Sequence, residues 1–246
     1  MAATAKRRYQ DVAEALKQDI VTRGCAVGDR LRTERQISED MGVSRSVVRE
    51  AVIMLEIEGL VEVRKGSGIY LARLPHACPN ETAVDFGPFE LLQARQLLES
   101  SIAALAAVTV TKADIMQMRQ ALALENKAIE AGDDDYSGDE LFHRLIAEAT
   151  QNAVLVDMVE ELWRKRAQSR MWARLHNRIF DKTYRSNWLS DHHAILNALQ
   201  MKDAPAARQA MWQHLENVRL TLMALSDVDD PEFDGYLFSS EAIAPA

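Results

Sequence analysis

The first part of the chain contains two short helical patterns, each of which ends at a glycine. Apolar residues over 12–21 recur at helical spacing, and Gly24 follows them. Thr33, with Gln36 three residues later, forms a capping box and predicts the start of a second helix. Gly42 predicts the end of that helix. The chain therefore begins with two amphipathic helices separated by a turn.

The next segment combines one more helix with a pair of short β patterns. Ser44 is a typical N-cap, and the apolar positions after it predict a helix that ends near Gly59. The runs 60–63 and 69–71 favour β-strands and enclose a basic, glycine-rich tip over 64–68. A helix, a helix–glycine–helix unit and a hairpin in this order predict a winged helix-turn-helix domain.

The second half of the chain is helical in pattern throughout. From residue 89 onward no alternating strand pattern occurs, so we expect an antiparallel helical bundle in a mainly α protein. The helical segments lie around 112–131, 136–150, 152–170, 183–201 and 203–226.

Prolines and charged residues mark the predicted domain boundaries. Pro75 and Pro79 end the hairpin region and argue against regular structure there. We predict a winged helix-turn-helix domain over 1–74 and a linker over 75–87. An all-helical domain over 88–226 and an acidic tail over 227–246 complete the chain.

Charge is distributed unevenly along the 246 residues. The net charge of −8 would by itself argue against nucleic acid as a partner. Residues 1–75, however, hold 13 Lys/Arg against 11 Asp/Glu, a net of +2, and the remainder holds 16 against 26, a net of −10. A slightly basic domain joined to an acidic one is consistent with a small DNA-binding module.

The sequence lacks the features of exported and membrane proteins. No apolar run approaches the ~20 residues that span a bilayer, and the N-terminus has no apolar signal-peptide core. Cys25 and Cys78 have neither metal nor disulfide spacing. We therefore expect a cytoplasmic protein with no membrane partner.

Several polar residues of the predicted winged helix-turn-helix are candidates for contact with DNA. The first turns of a recognition helix contact base edges, and arginine is the side chain that best recognises guanine. Glycine at the hairpin tip permits close approach to the DNA backbone. The candidates are Arg35, Arg45, Ser46, Arg49, Lys65 and Gly66. Taken singly, each favours a solvated surface residue, so the prediction rests on their combination.

The helical half contains a candidate metal site. Asp139 and His143 lie four residues apart and share one helix face. His192 and His214 lie in two further apolar helices. One carboxylate and three imidazoles are typical ligands of divalent metals. Spacing alone favours ordinary histidines in the core or at the surface over a metal site.

Residues 9–72 resemble the GntR family of bacterial transcriptional regulators. The resemblance implies operator binding through the positions of Arg35, Arg45, Ser46, Arg49 and Gly66. Arg32 departs from the family pattern, which usually has proline there. The segments that carry the resemblance are Gly28-Asp29-Arg30-Leu31, Glu34-Arg35, Val43-Ser44-Arg45, Val48-Arg49-Glu50-Ala51 and Lys65-Gly66-Ser67-Gly68.

Residues 89–220 resemble the FCD domain, the ligand-binding domain of FadR-type members of the same family. The resemblance implies that Asp139, His143, His192 and His214 bind a divalent metal, with zinc, nickel and manganese all open. His193 matches no ligand position. The segments that carry it include Asp139-Glu140-Leu141-Phe142-His143, Thr150-Gln151-Asn152, Asp191-His192-His193 and Met211-Trp212-Gln213-His214.

A closer likeness connects nearly the whole chain with the hexuronate-utilisation regulators of this family. It is carried by residues 87–97, Ala149-Thr150-Gln151-Asn152 and residues 211–217, and it implies a hexuronate as inducer. Arg95 is a candidate partner for the carboxylate and Asn152 for the hydroxyls. For Arg95, a salt bridge to Glu99 four residues later is the alternative.

These observations predict a homodimeric repressor of sugar-acid catabolism genes. We expect it to bind double-stranded, pseudo-palindromic operator DNA and to leave it when a hexuronate-type effector binds the helical domain. Two alternatives stay open. One is a regulator of the same fold that senses lactate, citrate or an acyl thioester, and the other is a metal-dependent enzyme.

Overall fold

The computed structural model describes residues 8–64, 67–75, 85–176 and 184–226. Three predicted features lie outside the described residues. They are the DNA contacts Lys65 and Gly66 at the hairpin tip, residues 76–84 of the linker, and the tail 227–246.

The N-terminal segment folds as a winged helix-turn-helix, as predicted. Its elements are α1 (Arg8–Thr22), α2 (Glu34–Met41), α3 (Arg45–Ile57), β1 (Val61–Arg64) and β2 (Gly68–Leu71). The two strands are antiparallel, with Val61 opposite Leu71 and Val63 opposite Ile69.

Local capping determines where the helices of this segment begin and end. Thr33 and Gln36 form the predicted capping box at the start of α2, and Gly42 ends the helix in the left-handed conformation that glycine tolerates best. Ser44 accepts a hydrogen bond from the backbone of Val47 and so caps α3. Arg32, which replaces the family's usual proline, forms ion pairs with acidic side chains of α1 and α2.

The remaining chain is entirely helical within the described residues, which confirms the predicted fold class. The helices are α4 (Pro88–Thr109), α5 (Lys112–Ala131), α6 (Ser137–Glu148), α7 (Ala153–Gln168), α8 (Arg170–His176), α9 (Tyr184–Gln200) and α10 (Ala204–Leu225). None of the described helices is both long and apolar enough to cross a membrane.

The short helix α8 was not predicted as a separate element. The sequence pattern indicated one helix over 152–170, but α7 ends at Gln168 and α8 begins at Arg170. The buried side chain of Ser169 accepts a hydrogen bond from the backbone of Trp172 at 3.0 Å. Serine at this position therefore caps a new helix instead of continuing the old one.

Backbone packing divides the described chain into two compact units. The first, here called the DNA-binding unit after the role predicted for its winged helix-turn-helix, contains the residues before Glu90, α8, and the end of α10 from Leu222. The second, here called the helical unit, contains Glu90–Gln168 and the chain from α9 to Thr221. By sequence α8 and the end of α10 fall in the predicted domain 88–226, whereas by packing they belong with the DNA-binding unit.

The core of the helical unit includes a close approach of α5 and α6. Gly138, near the start of α6, has no room for a side chain, because a Cβ atom would lie 2.5 Å from the backbone nitrogen of Glu125 and 2.9 Å from the carbonyl oxygen of Ala121. Glycine at this position lets the backbones of the two helices approach more closely than any other residue would allow.

We expect Gly138→Ala to destabilise the protein by about 1–3 kcal/mol, since the new methyl group must push one backbone away from another. In a thermal melt this corresponds to a fall in Tm of roughly 2–10 °C. Ser137→Ala, which alters the preceding exposed residue, is the matched control and should change the Tm much less. A Gly138→Ala protein with unchanged Tm would contradict the close approach.

Candidate functional site

Three histidines from three helices meet in the interior of the helical unit. His143 lies on α6, His192 on α9 and His214 on α10, and all three are buried. The Nε2 atoms of His192 and His214 are 3.1 Å apart, and the ring centroids of His143 and His214 are 5.4 Å apart. One ring nitrogen from each histidine lies within 4.8 Å of the others.

Asp139 joins the three histidines. Its Oδ1 atom lies 3.4 Å from Nε2 of His143 and 3.6 Å from Nε2 of His192. Oδ1 of Asp139 and Nε2 of His143 are buried, and neither has a hydrogen-bond partner among the described residues. The structure therefore brings together all four residues predicted as metal ligands.

The geometry of this cluster fits a divalent metal ion. Ligand atoms bound at about 2.1 Å around a tetrahedral or octahedral metal lie about 3.0–3.4 Å from one another. The separations of 3.1, 3.4 and 3.6 Å are close to that range. Buried polar atoms without a protein partner are costly unless something else binds them, and a cation would satisfy both Asp139 and His143. The donor set of one carboxylate and three imidazoles is suitable for zinc, nickel or manganese.

A carboxylate stands behind each imidazole on the side away from the cluster. Such partners fix the orientation of a histidine and direct the lone pair of its other nitrogen toward a metal. Distances from Nδ1 to carboxylate are 2.8 Å for His192 and 3.5 Å for His214. The pairs are His143 with Glu99, His192 with Glu125, and His214 with Asp191.

Charge and burial act in opposite directions on these groups. Burial tends to raise the pKa of Glu99, but Arg95 and His143 more than offset it and lower the pKa to about 2. Burial and the neighbouring His192 lower the pKa of His214 to about 3, so this imidazole is neutral at pH 7. A neutral imidazole is the form that binds a metal.

The two predicted effector contacts have other partners in this structure. Arg95 is buried and donates to Glu99 through Nε at 2.7 Å and Nη2 at 3.3 Å, which is the alternative stated for it above. Asn152 is exposed, and its side chain accepts hydrogen bonds from the backbone of Val154 and Leu155 at the start of α7.

The predicted DNA contacts differ sharply in exposure. Arg35 is exposed and pairs with Glu39 at 3.1 Å. Arg45 and Ser46, on the first turn of α3, are each only 4% exposed, and Arg49 is 0% exposed. Three of the described candidates are therefore inaccessible to DNA in this conformation.

Arg49 is held by residues from both ends of the chain, all within the DNA-binding unit. Its Nε and Nη2 donate to Oε2 of Glu34 at 2.8 and 2.5 Å. Nη1 donates to the backbone oxygen of Met223 at 2.5 Å and to the hydroxyl of Ser226 at 2.7 Å. We call these four residues the Arg49 anchor. The anchor ties α2 and α3 to the C-terminal end of α10.

Comparison with known protein families covers both halves of the chain. Residues 90–217 match the FCD domain, and residues 8–71 match the family described as bacterial regulatory proteins, gntR family. The chain belongs to the GntR family. As a member with an FCD domain, it is a DNA-binding transcriptional regulator and not an enzyme, and all of its predicted metal ligands lie within the FCD match.

Three curated GntR-family relatives are similar over nearly their full lengths. The Uxu operon regulator of Haemophilus influenzae is 54% identical over 96% of this chain and 90% of its own. The Uxu operon transcriptional regulator of Escherichia coli is 50% identical, over 97% of this chain and 96% of its own. The Exu regulon transcriptional regulator of Escherichia coli is 46% identical, over 97% and 93% respectively.

A solved GntR protein from Streptococcus agalactiae also aligns with this chain. It is 26% identical, covers 87% of this chain and 99% of its own, and has a TM-score of 0.46.

Some residues of the FCD site were not predicted from the sequence. Glu125 and Asp191 were not identified, and Glu99 was considered only as a partner of Arg95. Glu125 carried a usable signal, because it lies on the same face of α5 as the buried Met118 and Leu122. A carboxylate at an otherwise apolar position indicates a buried polar partner.

His143→Ala should abolish stoichiometric binding of the divalent metal. The affinity for the metal should fall by more than ~10–100-fold, which is the loss expected when a residue hydrogen-bonded to a metal ligand is removed. Metal per chain after dialysis, measured by elemental analysis, checks this. His193→Ala alters an exposed neighbour of His192 on α9 and should retain the metal. Equal metal content in wild type and His143→Ala would show that the cluster is not a metal site.

Proposed function

We propose that this regulator represses genes of sugar-acid catabolism and that a hexuronate bound in its FCD domain releases it from operator DNA. The observation that carries the proposal is the buried cluster of Asp139, His143, His192 and His214 in a chain about half identical to Uxu and Exu regulators. A metal held there supplies a Lewis acid for the carboxylate of a sugar acid.

The residues of the chain prepare this site for a small anion. His143 and His192 are oriented by Glu99 and Glu125, so most of the ligand geometry does not have to be created when the effector arrives. Burial excludes water and strengthens the attraction between a bound carboxylate and the cation. The effector contacts predicted from the sequence, Arg95 and Asn152, stay predictions.

We expect the regulator to act as a homodimer, and α4 presents a surface suited to one. Ala94, Leu97, Ser101, Leu105 and Val108 are exposed in the single chain and recur at helical spacing, so they form one uncharged stripe. Contiguous apolar surface of this kind typically marks a protein interface. A two-fold dimer would present two recognition helices to the two halves of a palindromic operator.

The conformation described here corresponds, in our proposal, to the operator-free state. Arg45, Ser46 and Arg49 are buried, so α3 cannot place them on base edges without a rearrangement. The Arg49 anchor is a specific obstacle, because its guanidinium already has three acceptors. Binding to DNA would exchange the contacts with Met223 and Ser226 for contacts with phosphate or base.

Helix α10 connects effector binding with operator release, because it contributes residues both to the histidine cluster and to the Arg49 anchor. Its earlier part contributes His214 to the metal cluster, and its end contributes Met223 to the Arg49 anchor. An effector that binds the cluster more tightly when the anchor is closed would lower operator affinity, with a typical coupling of about 1–3 kcal/mol.

Metal-loaded protein should bind duplex DNA from the promoter of its target genes with an affinity that falls steeply as salt rises. Addition of D-glucuronate, D-galacturonate or D-fructuronate should weaken the complex about 5–150-fold, the range of the coupling given above. Fluorescence anisotropy with labelled promoter DNA measures both effects.

Lactate and citrate serve as controls for the effector, and an unrelated duplex of equal length is the control for the DNA. Release by lactate or citrate alone would overturn the hexuronate assignment. Equal affinity for both duplexes would overturn operator recognition.

Ser226→Ala removes one acceptor from the Arg49 anchor and should tighten operator binding by about tenfold or more, since a hydrogen bond to a charged group contributes about 1.5–3 kcal/mol. The measurement is again anisotropy, at fixed salt and without effector. The Ser226 hydroxyl also donates a hydrogen bond to the backbone carbonyl of Leu222, four residues earlier. Thr22→Ala is the control, because the Thr22 hydroxyl donates the same kind of hydrogen bond to the carbonyl of Gln18. A Ser226→Ala protein with a lower Tm and unchanged operator affinity would show that the anchor only stabilises the fold.

A further inference from the structure

A side chain of α3, the predicted recognition helix, holds the first residues of α4. Glu50 lies on α3 and is 3% exposed. Its Oε1 atom accepts a hydrogen bond at 2.8 Å from the backbone N–H of Phe89, 39 residues further along the chain. Helix α4 begins at Pro88, so Phe89 belongs to its first turn, and Glu50 and Phe89 both lie in the DNA-binding unit. A carboxylate of α3 therefore caps the N-terminus of α4.

A carboxylate suits this position for physical reasons. The N–H groups of a first helical turn have no acceptor within their own helix, and they carry the positive end of the helix dipole. Pro88 has no N–H, which leaves Phe89 as the first donor of α4. A hydrogen bond to a charged acceptor is also roughly twice as strong as one between neutral groups. The contact therefore holds the start of α4 firmly to α3.

Gly87 leaves the room that this carboxylate occupies. A Cβ atom at position 87 would lie 2.8 Å from Oε2 of Glu50 and closer still to Oε1. The backbone of Gly87 is not in the left-handed region, so the need for glycine here is steric and not conformational. We call Glu50, Gly87 and Phe89 the Glu50 joint.

The chain just before the Glu50 joint is fixed to two other helices of the DNA-binding unit. Oδ2 of Asp85 accepts a hydrogen bond at 2.9 Å from the backbone of Met171, at the start of α8. The backbone oxygen of Asp85 accepts one at 3.0 Å from the hydroxyl of Tyr9 on α1. Helices α1, α3 and α8 thus all hold the short segment from which α4 begins.

Helix α4 continues from the Glu50 joint to the stripe proposed above as a dimer surface. It runs from Pro88 to Thr109, and the stripe lies between residues 94 and 108. After its first residue α4 contains neither proline nor glycine, at which helices most often bend. One uninterrupted helix therefore joins the recognition helix of a chain to the surface on which two chains would meet.

We propose that the Glu50 joint sets the distance between operator half-sites that the dimer accepts. Glu50 and Gly87 are positioning residues in this role, since they act through α3 and contact no base. This inference rests on the proposed function, because it assumes a homodimer on a two-fold operator. It goes further by assigning the spacing of the half-sites to residues outside the predicted DNA contacts.

Half-site spacing is a sensitive measure of how firmly the recognition helices are held. B-DNA has about 10–10.5 base pairs per turn, so one inserted base pair moves a half-site by about 3.4 Å and rotates it by about 35°. Two recognition helices held in fixed positions cannot follow both displacements, whereas a dimer with a loosened joint can. Loss of the joint should therefore weaken the preference for one spacing while each half-site is still recognised.

The test measures binding of the full-length, metal-loaded protein to the operator from its target promoter and to duplexes with one base pair inserted or removed between the half-sites. Fluorescence anisotropy, at fixed salt and without effector, gives the affinity for the native spacing divided by that for an altered one, here called the spacing ratio. The variants are Glu50→Ala, Glu50→Gln and Gly87→Ala. The matched control is Glu90→Gln, which removes an exposed carboxylate from the same first turn of α4.

We expect a wild-type spacing ratio of about ten or more, comparable to the loss from one mismatched base pair. Glu50→Ala and Gly87→Ala should bring the ratio close to one, because a hydrogen bond to a charged group accounts for about tenfold or more. Glu50→Gln should give an intermediate ratio, since its amide oxygen still accepts from Phe89 but without the charge. Glu90→Gln should keep the wild-type ratio.

A double variant tests the steric relation between Glu50 and Gly87. In an otherwise wild-type protein, the methyl group of Gly87→Ala displaces the carboxylate and should lower the Tm. Once Glu50→Ala has emptied that space, the same methyl group should lower the Tm no further, so the two effects are not additive. Additive falls in Tm would contradict the joint. Gly87→Ala leaves every other side chain unchanged, so its spacing ratio decides the question even if Glu50→Ala fails to fold.

The outcomes separate this inference from the function on which it rests. A wild-type protein that binds all spacings equally would overturn the two-fold operator recognition of the proposed function, and the inference with it. If wild type prefers one spacing and Gly87→Ala keeps the same spacing ratio, with or without a lower Tm, the joint only stabilises the fold. In that case the inference is wrong and the proposed function stands.

Discussion

Three imidazoles and three carboxylates lie buried together in the helical unit, and burial of so many ionisable groups is tolerable only when each has a partner. An isolated charge in this interior would cost several kcal/mol. Here Glu99 and Glu125 each pair with a histidine, and Arg95 balances Glu99 in turn. Among the described residues, Oδ1 of Asp139 and Nε2 of His143 have no hydrogen-bond partner, and neither has Nδ1 of His214, which lies 3.5 Å from a carboxylate oxygen of Asp191. Oδ1 of Asp139 lies 3.4 and 3.6 Å from Nε2 of His143 and of His192, which is close to the separation of two ligands on one cation.

Most helices of this unit contribute to the cluster, so the bundle and the site cannot be considered separately. Helix α4 provides Glu99, α5 provides Glu125 and α6 provides Asp139 and His143, while α9 and α10 provide one histidine each. Gly138 shows how closely two of these helices must pack to form the site. It lies directly before Asp139 and against the backbone of Glu125, so the close approach of α5 and α6 also sets the distance between two carboxylates of the site.

Much of this architecture could be predicted from the sequence because its signals are local. Capping residues such as Thr33 and Ser44 determine helix ends through the adjacent backbone, and the prediction of both caps was confirmed. Asp139 and His143 share a face because of helical geometry alone. The partners of the histidines and the burial of Arg49 depend instead on residues far apart in sequence. Periodicity carries no information about such contacts, and Ser169 shows that even a local cap is overlooked inside a continuous apolar pattern.

The grouping of α8 and the end of α10 with the DNA-binding unit affects how this protein can be recombined with its relatives. A chimera that joins the first 87 residues of one regulator to the remainder of another would follow the sequence boundary but not the packing boundary. In such a chimera, α3 would come from one parent and the residues that contact it from the other. Arg49 on α3 would meet the foreign Met223 of α10, and Glu56 on α3 would meet the foreign Arg174 of α8. Exchange of the helical unit between members therefore requires transplanting two separate segments, Glu90–Gln168 and the chain from α9 to Thr221. Helix α8 and the end of α10 must stay with their own recognition helix.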